Sequence, residues 1–178
     1  MNSDIYVNDS SYHILSLLGH GKGGYSYLVV GPIGCVVLKQ LHHEPCDYYR
    51  FGDKFAAELT DYERLCVAGI RIPLLLDADK EQEIIIKQYI EGPTIMELLK
   101  LKADVSCYLD QVKEMADKAH RCNLNIDYFP TNFVVQNQLI YYVDYECNEY
   151  MEQWDFEHWG YKYWQNSPEL QEYLQSRQ

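Results

Sequence analysis

Asp127, Asn132 and Asp144 all fall within the stretch NIDYFPTNFVVQNQLIYYVDYE, residues 125–146. An Asp followed five residues later by an Asn offers a carboxylate and a carboxamide on one short loop. A second Asp follows just beyond an apolar run. FVV and LIYYV flank Gln136-Asn137-Gln138, which predicts a tight β-hairpin. Two carboxylates and an amide then sit at the two ends of one hairpin, close enough to share a metal. Their hard oxygen atoms suit Mg²⁺.

Such a site needs partners upstream. Tyr12 to Leu18 reads as a strand and runs into Gly19-His20-Gly21-Lys22-Gly23-Gly24. Tyr25 to Val30 reads as a second strand, Gly31 to Gly34 as a turn, and Cys35 to Leu41 as a third strand. Gly19, Gly21 and Gly24 satisfy G-x-G-x-x-G. A dinucleotide-binding loop of that pattern must lead from a strand into a helix. Here a strand follows, which points to a glycine-rich hairpin folded over phosphates or to an ordinary turn. Lys39 ends the apolar run V-V-L-K, where an unpaired buried ammonium is costly. It is either an edge-strand lysine facing water or a phosphate holder.

His42 to Arg50 reads as irregular and Phe51 to Val67 as a helix. Phe55, Leu59, Tyr62 and Cys66 form its apolar stripe, and Gly69 stands at its end. Glu58 on this helix is either a solvated charge or the partner of Lys39. Glu83 to Ile90 reads as a strand, broken by Glu91-Gly92-Pro93, which is the expected lobe boundary. Thr94 with Glu97 forms a capping box. Ser106 to Cys122 reads as a helix with Leu109, Val112, Met115, Ala116 and Ala119 on one face. The aromatic run from Tyr150 to Trp164 has helical spacing and reads as core, and a last helix is expected over Pro168 to Gln175. Residues 1–11 are polar and are expected to fray.

The net charge of −12 over 178 residues argues against a nucleic-acid backbone or an anionic membrane as the main partner. Six scattered cysteines form no C-x-x-C, so they read mostly as small buried hydrophobes of a reduced chain. Neither a signal peptide nor a membrane-spanning run is read, and a cytoplasmic protein is expected. The 17 tyrosines promise aromatic packing and many hydroxyls that need partners.

Taken in order, these features resemble the protein-kinase-like superfamily across roughly residues 12–146. Gly19 to Gly24 looks like its glycine-rich loop, and Lys39 in V-V-L-K like the lysine of V-A-I-K. Glu58 looks like the helix-C partner of that lysine, and Gln88 to Ile90 like the adenine-reading hinge. Asp127-Tyr-Phe-Pro-Thr-Asn132 matches D-L-x-P-x-N, and Asp144 matches the metal-binding Asp of D-F-G. The flanks differ: H-R-D is Asn125-Ile126-Asp127, D-F-G is Asp144-Tyr145-Glu146, and no A-P-E follows. This pattern is similar to compact atypical kinases, namely the KEOPS-complex kinase, lipopolysaccharide core kinases and aminoglycoside or choline phosphotransferases.

The resemblance implies an α+β, two-lobed kinase-like fold. An N-terminal antiparallel sheet with helix C would span residues 1–91, and a reduced, mainly helical lobe residues 92–178. It implies ATP and Mg²⁺ as cofactors. Gly19, Gly21, Gly24, Lys39, Glu58, Gln88 and Ile90 would bind nucleotide, Asn132 and Asp144 the metal, and Asp127, Lys39 and Asn132 would carry catalysis. The acceptor, a protein or a small molecule, is not named by these motifs. The alternative is a nucleotide-binding pseudokinase acting as a regulatory partner. The aromatic tail is a candidate face for a protein partner or a second copy.

Overall fold

The structure, a computed structural model, is a mixed α+β protein and describes residues 4–44 and 52–176. From position 45, the irregular stretch expected up to Arg50, with the expected helix start at Phe51, lies outside the described residues. The chain divides into two compact units, Met1–Thr60 with Pro73–Tyr89, and Asp61–Ile72 with Ile90–Gln178.

The first unit is built on a six-stranded antiparallel sheet. Its strands are β1 (Asp4–Val7), β2 (Ser10–His20), β3 (Gly24–Gly31), β4 (Gly34–Leu41), β5 (Leu75–Asp79) and β6 (Ile84–Gln88). The order is β1-β2-β3-β4-β6-β5. Alternation along β4 and β6 sends Val36, Leu38, Ile84 and Ile86 to one face, where they pack with Val7, Tyr12 and Val29. Val37, Lys39 and Ile85, on the other face, are also buried. Strand β1 corrects the expectation of a frayed start. Its Val7 is fully buried, so the short D-I-Y-V segment is tied down by the core it reaches.

Helix α1 (Lys54–Ala68) contributes to both units. Asp53 caps its start by accepting the Ala56 N–H through its side chain. Its end is a Schellman turn. Gly69 at φ +71° donates to the Cys66 carbonyl, and Ile70 donates to the Leu65 carbonyl. Leu65 and Ile70 are both buried, which supplies the hydrophobic contact that accompanies this motif. The buried stripe continues through Leu65 and Ala68, and Cys66 is exposed instead.

The second unit contains α2 (Ile95–Lys100), α3 (Ser106–Arg121), β7 (Leu124–Ile126), β8 (Phe133–Gln136), β9 (Leu139–Tyr142), β10 (Cys147–Glu149) and α4 (Pro168–Gln175). Thr94 and Glu97 close a reciprocal capping box at α2. Val112, Met115 and Ala119 of α3 are buried with Ile126, Phe133 and Trp164. Strands β8 and β9 form the expected hairpin. Asn137 (φ +51°) and Gln138 (φ +64°) fill its two-residue turn, the left-handed pair that matches strand twist.

Two expectations need correction in this unit. The aromatic run does not form one helix. It folds as short turns, Glu152–Trp154, Phe156–Gly160 and Tyr161–Tyr163, with Phe156 and Trp164 buried but Trp154 and Tyr161 exposed. Strand β10, which pairs with β7, precedes it. The cysteines are not mostly buried: Cys35, Cys66, Cys107 and Cys122 are exposed, and only Cys147 is buried among the described residues. Among the described residues, no helix is long and apolar enough to cross a membrane.

Candidate functional site

In the first unit, β2 and β3 end on the turn that holds the glycines. Gly21 N–H donates to the Gly24 carbonyl at 3.0 Å, closing the turn. Gly24 pairs with Leu41 so tightly that a Cβ would lie 2.3 Å from the Gln40 carbonyl oxygen. The fold itself therefore requires that glycine. At Gly19 and Gly21 a Cβ would meet nothing within 4 Å, so packing does not explain them.

Beneath the turn, β4 presents Lys39. Its Nζ donates to Glu58 Oε1 at 2.7 Å, and both residues are 9% exposed. Strand and helix thus supply the two halves of a buried ion pair, which is tolerated because each charge meets the other in hydrogen-bonding geometry. Lys39 Nζ also lies 3.6 Å from the position a Cβ would take on Gly23. The ammonium is thus aimed at the glycine turn. The turn is held from α1 as well: Lys54, buried at 7% exposure, donates to the Lys22 and His42 carbonyls.

Gln88 closes β6. Its N–H donates to the Leu74 carbonyl, just before β5, at 2.9 Å, so that donor is already used. Ile90 belongs to the second unit and is buried.

In the second unit, Asp127 follows β7 and is exposed, and its Oδ1 accepts the Phe129 N–H at 3.0 Å. This is an Asx turn, which leads into the single 3-10 turn Pro130–Asn132. Asn132 Nδ2 donates to the Asp127 carbonyl at 3.3 Å, and Val143 N–H donates to the Asn132 carbonyl at 2.9 Å. Asp144 Oδ1 accepts the Tyr145 N–H at 2.9 Å. A continuous set of hydrogen bonds therefore gathers Asp127 and Asn132 with the backbone that carries Asp144. With its amide nitrogen committed to the Asp127 carbonyl, Asn132 has Oδ1, which accepts the Thr131 hydroxyl at 3.4 Å, as the atom it can offer a cation. Asn132 and Asp144 are both half-buried, and their side-chain oxygens are of the hard kind that Mg²⁺ takes.

Three residues of this cluster escaped sequence reasoning. Tyr142 is fully buried, and its hydroxyl accepts the Asp127 N–H at 3.3 Å while donating to the Glu146 carbonyl at 2.9 Å. Burial, reinforced by the charges of Asp144 and Asp127, pushes that hydroxyl far above its ordinary pKa, so it stays a donor. Trp164 Nε1–H donates to the Tyr128 carbonyl at 2.7 Å and braces the loop from behind. Asn125 donates to the Met151 carbonyl at 2.8 Å. One signal existed for Tyr142: a Tyr amid an apolar strand needs a partner for its hydroxyl.

No protein-family model matches the chain, and no curated protein matches it.

Proposed function

We propose that this chain is an ATP- and Mg²⁺-dependent phosphotransferase with a compact, two-lobed kinase-like fold, moving a γ-phosphate to a hydroxyl acceptor. The observation that carries this reading is the buried Lys39–Glu58 pair beneath the glycine turn. A strand lysine oriented by a helix glutamate and aimed at bare backbone is the arrangement that holds phosphate oxygens.

Each residue has a role in this reading. Gly19 and Gly21, which packing leaves unexplained, let the backbone approach the phosphates. Glu58 fixes the Lys39 ammonium. With the Gln88 N–H bonded to the Leu74 carbonyl, adenine is read by backbone groups from Tyr89 to Ile90. Asn132 and Asp144 would hold Mg²⁺, which neutralises the charge of the triphosphate when bound. Asp127 accepts the proton of the acceptor hydroxyl, and the Phe129 N–H sets its carboxylate.

The test is ATP turnover and autophosphorylation with Mg²⁺, in the wild type and in Asp144→Ala. Loss of turnover in the variant supports the proposal; equal turnover in the two proteins overturns it. ATP binding that raises the melting temperature with no turnover in either protein would favour the pseudokinase reading.

A further inference from the structure

We propose that His20, His42 and Glu44 form a binding site for a divalent transition metal of the Zn²⁺ class. His20 is the last residue of β2, and His42 and Glu44 follow β4. One ligand atom from each lies within 4.8 Å of the others, and His20 Nε2 stands 3.8 Å from Glu44 Oε2. This is the only such group of three among the described residues.

The surroundings prepare each ligand. His42 Nδ1 accepts the Glu44 N–H at 3.2 Å, so the proton of a neutral ring sits on Nε2, which donates to the Gly21 carbonyl at 3.0 Å. Nδ1 carries the lone pair a metal would take and gives up the Glu44 N–H on ligation, while the Nε2–H bond to the Gly21 carbonyl keeps the ring in its tautomer and orientation. Glu44 is oriented in the same way. Its Oε1 accepts the Tyr25 hydroxyl at 2.8 Å, and that bond holds the carboxyl below its usual range, leaving Oε2 for the metal. The His20 ring stacks on Tyr25 with centroids 4.2 Å apart. Tyr25 therefore orients two of the three ligands.

Two imidazoles and one carboxylate are the donor set of open zinc sites. Bond lengths of about 2.0–2.2 Å require the three atoms to draw together by roughly 1 Å. Side chains this exposed can make that move. The nitrogen donors select against Mg²⁺, which prefers oxygen. Lys54 donates to the His42 carbonyl, so a cation on this same segment weakens the site relative to a closed zinc centre. A bound ion would tie the end of β2, and the glycine turn with it, to the segment after β4. The site does not depend on the phosphotransferase reading.

The experiment is titration of the full chain with ZnCl₂, followed by histidine side-chain ¹⁵N–¹H resonances. One equivalent should shift His20 and His42 and leave His13, His120 and His158 in place, while MgCl₂ moves none. His13 and His158 each sit beside a carboxylate away from the proposed ligands, so they serve as internal controls. The readout is blind to zinc held by the exposed thiols. His42→Gln should abolish the shift at His20, and Glu44→Gln should weaken binding at least tenfold. Unmoved His20 and His42 resonances, or a His20 shift that survives His42→Gln, would overturn the proposal.

Discussion

The Tyr142 hydroxyl lies 3.3 Å from the Asp127 amide nitrogen and 2.9 Å from the Glu146 carbonyl oxygen, joining the loop of one carboxylate to the loop of the other. In Tyr142→Phe both backbone groups lose that partner. The variant should unfold with a stability loss of about 1–3 kcal/mol in urea. If the phosphotransferase reading holds, kcat should fall with little change in the KM for ATP. A variant as stable as wild type would show that the bridge contributes nothing.

The Lys39–Glu58 pair is buried, so Lys39→Met leaves the Glu58 carboxylate buried without its lysine. Lys39→Met should cost about 3–5 kcal/mol, and Glu58→Leu completes the cycle. The double variant should recover most of that loss, because an apolar pair of similar volume is often neutral at such a site. Additive losses in the double-mutant cycle would contradict the pairing.

Trp164 and Trp154 give a matched comparison. Trp164→Phe leaves the Tyr128 carbonyl without its donor and opens space beside Phe133 and Phe156, costing about 2–4 kcal/mol. Trp154→Phe, at a residue 47% exposed, should stay within about 0.5 kcal/mol of wild type. Chemical denaturation of both variants distinguishes the two sites.

Cys147 donates its thiol to Asp61 Oδ1 at 3.3 Å, and burial, with the Asp61 charge, pushes it from 9.0 up to about 12. Iodoacetamide at pH 8 should label Cys35, Cys66, Cys107 and Cys122 and spare Cys147, as read by peptide mass spectrometry. The folded state retains a proton that the unfolded chain gives up near pH 9. This contribution to stability is complete below pH 9 and fades as pH rises toward 12. Wild type should therefore lose stability relative to Cys147→Ala across that window.

Local chemistry explains what could be read from the sequence. The Thr94–Glu97 box, the Asn137–Gln138 turn, the Gly69 terminus and the Pro168 helix start each declare themselves within a few residues. So did the D-x4-N spacing, because Asn132 reaches back only to Asp127. Strand β1 did not, since its burial depends on Val7 reaching a core built from β3, β4 and β6. The cysteines misled because hydrophobic rank ignores which face a position occupies: Cys66 sits one residue beyond the stripe that Leu65 continues. The aromatic tail misled because 3.6-residue spacing can be met by separate 3-10 and π turns, each fixed by its own contacts. Tyr142 was hidden because its two partners are backbone groups, which leave no mark in the sequence.

The two-residue turn of the β8–β9 hairpin also bears on the order in which the molecule folds. Asp127, Asn132 and Asp144 are held by contacts local in sequence, and hairpins close on a timescale of about 1–10 μs. The large sheet must pair Val36 with Gln88 across a much longer loop, and such pairings form slowly. Substitutions in β8–β9, such as Val135→Ala, should therefore slow folding, whereas Val36→Ala should mainly speed unfolding. On this order the acidic cluster forms first and the long-range pairing of β4 with β6 forms last.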